Sequence, residues 1–211
     1  MPDIVYMMRA LVIVVVLLGI AVLAMAAVAL FAPRERVAVP PAPAPQDAIM
    51  DTMTETTDTL SLSSPVFSEG GAIPQKYTCE GENISPPLVI GGVPEGARTL
   101  ALIMDDPDVP RDRRPDGLFV HWVRLNIPAD TREIAEGTEP AGVAGAGTGG
   151  DLGYRGPCPP DREHRYFFKL YALDSALELP EGASKEQVER ATQGHVLAEA
   201  QLMGVYEKVN K

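Results

Sequence analysis

The sequence predicts a mainly β domain that is preceded by a linker and by one membrane-spanning helix. Three apolar segments in the second half of the chain have the length and the patterning of strands. Stretches rich in proline, glycine and aspartate separate them, and such stretches sustain neither a strand ladder nor a helix interior. A further apolar segment near the N terminus is long enough to cross a bilayer.

Residues 1–32 are interpreted as a transmembrane anchor. From Leu11 to Phe31 every residue is apolar or glycine, and a helix of that length spans about 32 Å, close to the roughly 30 Å hydrocarbon core of a bilayer. A cleaved signal peptide is the alternative, because the triplets Ala24–Ala26 and Ala27–Ala29 match the cleavage pattern, although both lie inside the apolar run. Positive charges on both sides of the segment leave its orientation open.

Residues 33–64 are predicted to be a linker, and residues 65–211 a single folded domain. The linker is dense in proline, alanine, threonine and acidic residues and has few large apolar side chains, so we expect an extended, disordered tether. The remaining length is sufficient to bury a core. The formal net charge of -11 argues against nonspecific nucleic-acid binding, because a phosphate backbone is bound by clustered lysine and arginine.

Each of the three apolar segments predicts a strand with its own burial pattern. The run TLALIMD (Thr99–Asp105) is almost continuously apolar, which is typical of a strand buried on both faces. In HRYFFKLYAL (His164–Leu173) the period of two places His164 and Tyr166 on the same face. The same period in FVHWVRLNI predicts one shared face for Phe119, His121, Val123, Leu125 and Ile127.

Two short helices are predicted near the C terminus. Ser184 and Gln187 form a capping-box signature in front of VERAT, and Gly194 then separates this segment from a second predicted helix, HVLAEAQLM. The tail GVYEKV is interpreted as the last strand. Together with the three central strands, these elements predict a β-dominated fold with a late helical pair.

Cys79 and Cys158 are the only cysteines. An even pair within one small domain favours a disulfide in an oxidising compartment, and two buried thiols are the alternative. The pair and the linker composition together favour a domain on the extracytoplasmic side of the membrane.

Two loops gather polar groups next to strand ends, where rigid scaffolds usually display functional side chains. If His121 and His164 converge, the two imidazoles and the hydroxyl of Tyr166 form a cradle for a phosphate or a carboxylate. Asp106 or Asp108 would then orient an imidazole or receive an ammonium group of the ligand. The alternative is structural: hydrogen-bonded histidines and Asp-Pro turns.

Five motifs in this order, CEGENISPPL, DDPDVP, FVHWVRLNIP, GYRGPCPP and HRYFFKLYAL, resemble the bacterial and archaeal branch of the phosphatidylethanolamine-binding proteins, also called Raf kinase inhibitor-like proteins. The resemblance implies a Greek-key β-fold, with a large central antiparallel sheet and a smaller sheet, and a small pocket for phosphate or phosphorylated head groups. It implies ligand-binding roles for Asp106, Asp108, His121, Gly156, Pro157, His164 and Tyr166. Val109 replaces the usual alanine, and the charged segment Arg111–Asp116 implies a different pocket rim.

The resulting hypothesis is a membrane-tethered binding or regulatory protein for an anionic small molecule or a phospholipid head group. A protease or a kinase is the kind of partner that the resemblance implies. The alternatives are a hydrolase or transferase that acts on a phosphorylated small molecule, for which no activated nucleophile is visible, and a pure protein-interaction module. No metal or cofactor is predicted, because zinc-like spacing is lacking and GAGTGG is not flanked by the required strand and helix.

Overall fold

A computed structural model of the chain describes residues 59–209. The predicted anchor, residues 1–32, lies outside the described residues. No helix within residues 59–209 is long and apolar enough to cross a membrane. The folded part begins earlier than the predicted boundary at residue 65, because a first strand lies at Ser61–Ser63 and places Leu60 and Leu62 in the core.

Nine strands, one 3-10 turn and one α-helix make up the described part of the chain. In order they are β1 Ser61–Ser63, the 3-10 turn Gln75–Tyr77, β2 Leu88–Gly91, β3 Thr99–Asp106, β4 Phe119–Pro128, β5 Glu133–Ile134, β6 Val143–Ala146, β7 His164–Leu173, β8 Ala183–Ser184, α1 Lys185–Ala191 and β9 Val196–Tyr206.

The strands form two sheets of different size. The larger sheet has the order β8-β6-β4-β3-β7-β9, and the smaller sheet has the order β1-β2-β5. Neighbouring strands are antiparallel except for the short β6–β8 pair, which is parallel. The mainly β prediction, with one larger and one smaller sheet, is therefore confirmed, whereas the parallel pair was not predicted.

The larger sheet is covered on both faces, which explains the continuous apolar run of β3. Leu100, Leu102 and Met104 belong to a core shared with the smaller sheet, whereas Ala101 and Ile103 belong to a second core with Val188 of α1. Burying side chains of this size stabilises the fold by about 1.5 to 3 kcal/mol each. The prediction of a strand buried on both faces is confirmed.

Successive side chains alternate strictly between the two faces of the sheet in β7 but not in β4. In β7 the even-numbered residues from His164 to Ala172 are buried, so the shared face of His164 and Tyr166 is confirmed. In β4 the prediction is wrong, because Val123 and Leu125 face the α1 side while Ile127 faces the smaller sheet. Two register shifts against β3 cause this difference, since each extra residue in a bulge reverses the alternation that follows it.

The first predicted C-terminal helix is confirmed, and the second is wrong. Ser184 and Gln187 form the complete capping box at the start of α1. Residues 196–206 form β9 instead of a helix, and Leu202, Gly204 and Tyr206 are buried with a period of two. Alanine, glutamate and leucine favour a helix, but antiparallel pairing along the whole length of β7 stabilises a strand here.

Candidate functional site

The strand order brings three of the sequence motifs to one end of the larger sheet. β3 lies between β4 and β7 and runs antiparallel to both. The C-terminal end of β3 therefore meets the N-terminal ends of its two neighbours. Asp106 pairs with Phe119 of β4, and Asp105 pairs with Phe167 of β7. The loops that follow β3 and precede β7 consequently enclose the same end of the sheet.

A cavity of about 400 Å³ lies between these loops. That volume is in the range of small-molecule sites, which begins at about 300 Å³. The lining combines apolar, cationic and carboxyl side chains: Asp106, Val109, Arg113, Arg114, Phe119, His121, Arg155, Gly156, Cys158 and Pro160. Of the seven sequence-predicted site residues, the structure thus places Asp106, His121 and Gly156 at the cavity wall.

His121 reaches the cavity because of a β-bulge. The register of β3 and β4 pairs Met104 with Trp122 and Asp105 with Val120, so His121 is the extra residue between them. The imidazole packs against Tyr166 with ring centroids 5.3 Å apart, on the side of the sheet that Tyr166 occupies. Without the extra residue, alternation would send His121 to the opposite face together with Val123.

One nitrogen of His121 is engaged and the other is not. Nδ1 lies 2.8 Å from the backbone carbonyl oxygen of Arg155, whereas Nε2 is buried and has no hydrogen-bond partner among the described residues. Burial lowers the pKa of His121 to about 4, because the charged imidazolium loses its hydration. The ring is therefore neutral near pH 7.

His164 has no nitrogen free for a ligand. Its Nδ1 lies 2.7 Å from Oδ2 of Asp106, and its Nε2 lies 2.9 Å from Oδ1 of Asp161. The other oxygen of Asp106 accepts a hydrogen bond from the amide of Asp108. Burial raises the pKa of Asp106, although the bond to His164 opposes this rise. Asp106 and His164 thus orient each other. Orienting an imidazole was one of the two roles predicted for the aspartates.

Asp108 fastens the loop after β3 instead of facing the cavity. Its carboxylate accepts from Nε and Nη2 of Arg165 at 2.8 Å each and from the Arg165 amide at 3.0 Å. These bonds lower the pKa of Asp108 to about 2. A carboxylate occupied by a bidentate arginine has little capacity left for a ligand ammonium group.

The other predicted residues are Gly156, which lines the cavity, and Pro157 and Tyr166, which do not. The Gly156 amide donates to Oδ1 of Asn83, and the Pro157 carbonyl accepts from the amide of Cys79. Gly156 lies so close to the Gln75–Tyr77 turn that an added Cβ would be 2.4 Å from the carbonyl oxygen of Tyr77. The hydroxyl of Tyr166 is buried without a hydrogen-bond partner within residues 59–209, and burial raises its pKa.

The predicted disulfide between Cys79 and Cys158 is confirmed. It joins the cavity wall to the segment after the 3-10 turn, and the Tyr154 hydroxyl adds a 2.8 Å hydrogen bond to the carbonyl of Tyr77. A second, more polar hollow of about 570 Å³ shares the lining residues Arg155, Gly156 and Cys158 with the cavity.

The cationic side chains of the cavity were not among the predicted site residues. Arg114 is paired with Asp116 at 2.8 Å, and Arg155 is paired with Asp151 at 2.9 Å. The side chain of Arg113 makes no hydrogen bond or ion pair with any described residue. The unusual charge of Arg111–Asp116 was the sequence signal for this rim, and Arg155 lies within the GYRGPCPP motif but was not given a role there.

A serine, a histidine and an aspartate also meet elsewhere, at the opposite end of β7, without the geometry of a catalytic triad. The Ser175 hydroxyl lies 3.1 Å and the Asp174 carboxylate 2.8 Å from the same nitrogen of His195, Nδ1. A triad requires the serine and the carboxylate on different ring nitrogens. This cluster therefore gives no support to the hydrolase alternative.

Comparison with known proteins agrees with the fold and with the motifs. The family model described as "Phosphatidylethanolamine-binding protein" matches residues 63–207. The chain belongs to the phosphatidylethanolamine-binding protein family. It is 51% identical over 155 residues to the UPF0098 protein of Methanothermobacter thermautotrophicus and 49% identical over 149 residues to that of Chlamydia muridarum, in each case over 71% of this chain and 99% of the relative.

Two solved structures of the family have the same fold. A phosphatidylethanolamine-binding protein homolog from Chlamydia trachomatis matches with a TM-score of 0.70 at 49% sequence identity, and E. coli YbcL matches with a TM-score of 0.64 at 30% identity. Both comparisons cover 71% of this chain and 98% of the solved chain. The family resemblance of the sequence motifs is thereby confirmed.

Proposed function

We propose that this family member is a membrane-tethered binding protein whose cavity holds an oxyanion, either free or as part of a phosphorylated small molecule or head group. The observation that carries the proposal is the composition of the cavity, in which three arginines surround a largely apolar pocket of about 400 Å³. Arginine is the side chain best suited to phosphate and carboxylate groups, because its guanidinium donates several parallel hydrogen bonds.

Arg113 is the first contact that we assign to the anion. Its guanidinium is exposed and unpaired among the described residues, so binding an anion breaks no existing ion pair. Arg155 is the second, because its ion pair with Asp151 is half-exposed and therefore weak. Its guanidinium carbon also lies 5.5 Å from the ring centroid of Phe119, which keeps the charge at the cavity mouth.

Asp106 and His164 have a positioning role in this proposal. Their mutual hydrogen bond positions Asp106 at the cavity wall, and both oxygens of the Asp106 carboxylate already have partners, His164 and the Asp108 amide. The histidine pair therefore does not act as a symmetric cradle. The arginines supply the positive charge, and His121 supplies the only imidazole at the cavity wall within the described residues.

Titration of the full chain in detergent with inorganic phosphate tests this function. We expect saturable binding that weakens about tenfold in Arg113→Gln, as the loss of one charge-assisted hydrogen bond predicts. Arg98→Gln is the matched control, because Arg98 is an exposed arginine next to the far end of β3. An equal loss in both variants, or no binding by the original chain, would contradict the proposal.

The tether is the second part of the proposal. The apolar segment Leu11–Phe31 has the length to span a bilayer, and the Cys79–Cys158 disulfide is typical of an oxidising, extracytoplasmic compartment. We expect the chain to sediment with membranes, to resist extraction at high pH and to lose this behaviour when residues 1–32 are deleted. A mature chain whose measured mass lacks the segment would establish a cleaved signal peptide instead.

A further inference from the structure

His121 differs from every other described residue that lines the cavity. It alone there has a buried side-chain nitrogen or oxygen, Nε2, without a hydrogen-bond partner. An unpaired buried polar atom is unfavourable for folding. Such an atom at the wall of a binding cavity points to a bond that is completed by the ligand.

The hydrogen bond of Nδ1 determines what Nε2 can do. The partner of Nδ1 is the carbonyl oxygen of Arg155, which can only accept a hydrogen bond. Nδ1 therefore carries the proton of the neutral ring, and Nε2 presents a lone pair. His121 consequently offers the cavity an acceptor, and a ligand atom that bonds to Nε2 must bring its own hydrogen.

No described residue donates a hydrogen bond to Nε2 of His121. From β3, Asp106 lines the same cavity, and its two oxygens already have partners, the Asp108 amide and Nδ1 of His164. Asp105 adds a nearby negative charge, but its carboxylate pairs with Lys169 and Lys185. Both nitrogens of His164, on β7, are directed at carboxylates. The other charged or titratable groups near the ring are Tyr166 of β7, Arg155 of the loop before it, and Arg113 and Arg114 at the rim.

We propose that His121 selects oxyanions that carry a proton, so that the cavity prefers hydrogen phosphate or the monoanion of a phosphate monoester to sulfate or to a phosphodiester. This inference rests on the proposed oxyanion-binding function. The P–OH group donates to Nε2 while the charged oxygens face the arginines. Sulfate and phosphodiesters have the same tetrahedral shape but no proton. Their oxygens and Nε2 of His121 are all acceptors, so no hydrogen bond forms between them.

Phe119 is the aromatic neighbour of His121 at the cavity wall. Its ring lies 4.8 Å from the His121 ring, between centroids, and the side chain is only half-buried at the cavity wall. Because Nε2 is buried in this structure, the proposed bond requires a local movement of the neighbouring side chains. The guanidinium carbon of Arg155 lies 5.5 Å from the centroid of the same Phe119 ring, so Arg155 and His121 both contact this side chain.

Competition between probes of equal shape tests the selection on the full chain in detergent. Inorganic phosphate and sulfate are compared at pH 6, and methyl phosphate and dimethyl phosphate at pH 5. At pH 5 both methyl compounds carry one negative charge, because the second pKa of a phosphate monoester is about 6. We expect each protonated probe to bind about tenfold more tightly than its unprotonated counterpart, as the loss of one hydrogen bond predicts.

The variant His121→Gln should reduce both ratios towards one, because an amide can donate as well as accept. If this variant does not fold, a pH titration of the original chain replaces it: methyl phosphate should lose affinity between pH 5 and pH 7.5, while inorganic phosphate retains a proton and serves as the control.

Equal affinities for phosphate and sulfate, both weakened by Arg113→Gln, would overturn the selection and leave oxyanion binding intact. Absence of binding for all four probes would overturn both proposals.

Discussion

The two loops that enclose the cavity are held in different ways. The β6–β7 loop, residues 147–163, is tied to distant segments by the Cys79–Cys158 disulfide and by hydrogen bonds to Tyr77, Asn83 and Glu139. The β3–β4 loop, residues 107–118, is tied to the sheet chiefly through the Asp108–Arg165 pair, and its other bonds are largely local.

The difference assigns different tasks to the two loops. The β6–β7 loop carries the carbonyl of Arg155 that fixes the His121 ring, so a rigid attachment sets the tautomer and the direction of Nε2. The β3–β4 loop carries Arg113 and Arg114 at the exposed rim. A loop with few distant ties adapts at low cost to anions of different size. The stability of the site should accordingly depend on the β6–β7 loop, whereas its affinity should depend on Arg113 of the β3–β4 loop and on Arg155 of the β6–β7 loop.

Removal of the disulfide should have the largest effect. The double variant Cys79→Ser with Cys158→Ser opens a covalent loop with a sequence separation of 79, and chain entropy predicts a loss of about 4.5 kcal/mol in the free energy of unfolding. Denaturant titration of the full chain in detergent measures it. A loss below about 1 kcal/mol would mean that the hydrogen bonds alone fix the β6–β7 loop.

Acid should destabilise the protein through His121. Its pKa is about 4 in the folded chain and about 6.5 in the unfolded chain, so the unfolded chain takes up the proton first. The associated stability is complete above pH 6.5 and is lost as the pH falls towards 4, by about 3 kcal/mol. His121→Gln should remove this part of the pH dependence, and parallel stability curves for the two proteins would contradict the assignment.

Gly156→Ala tests the close approach of the β6–β7 loop to the 3-10 turn. The new Cβ would lie 2.4 Å from the Tyr77 carbonyl oxygen and 2.9 Å from Cα of Thr78, which are backbone atoms. A shift of the loop should cost about 1 to 3 kcal/mol. Gly153→Ala is the matched control in the same loop, because its Cβ meets only the flexible Glu139 side chain at 3.1 Å; equal melting temperatures for both variants would refute the steric argument.

Asp108→Asn should produce the smallest of these changes, in the β3–β4 loop. The folded pKa of about 2 lies below the usual value of 3.8, so the carboxylate stabilises the fold above pH 4 and loses this effect as the pH falls towards 2. With allowance for the half-exposed Arg165, the loss at pH 7 is about 1 to 2 kcal/mol. A double-mutant cycle with Arg165→Gln isolates the pair, and a coupling energy near zero would argue against it.

Much of the fold was predictable because its signals are local. The buried run of β3, the alternation of β7 and the capping box of Ser184 and Gln187 each depend on residues within a few positions of one another. β9 was not predictable in this way. By propensity its residues favour a helix, and only the hydrogen-bonded pairing with β7 stabilises a strand.

The candidate site was predictable in its location and not in its chemistry. The motifs indicated that Asp106, His121, His164 and Tyr166 gather at one end of the sheet, and their contacts agree with this. Which of these groups stays available to a ligand depends on partners distant in the chain, such as Arg165 for Asp108. Local patterns contain no information about such partners.

The sequence alone determined the family, the β-rich class and the shared face of His164 and Tyr166, and it favoured the cysteine pair, because composition, periodicity and motif order are properties of the chain itself. Only the tertiary structure decided that His121 turns towards the cavity, that its Nε2 remains unpaired and that Arg113 and Arg155 lie at the wall. The physical reason is that the bulge in β4 and the hydrogen bond to Arg155 arise from the alignment of strands and loops that are distant in the chain.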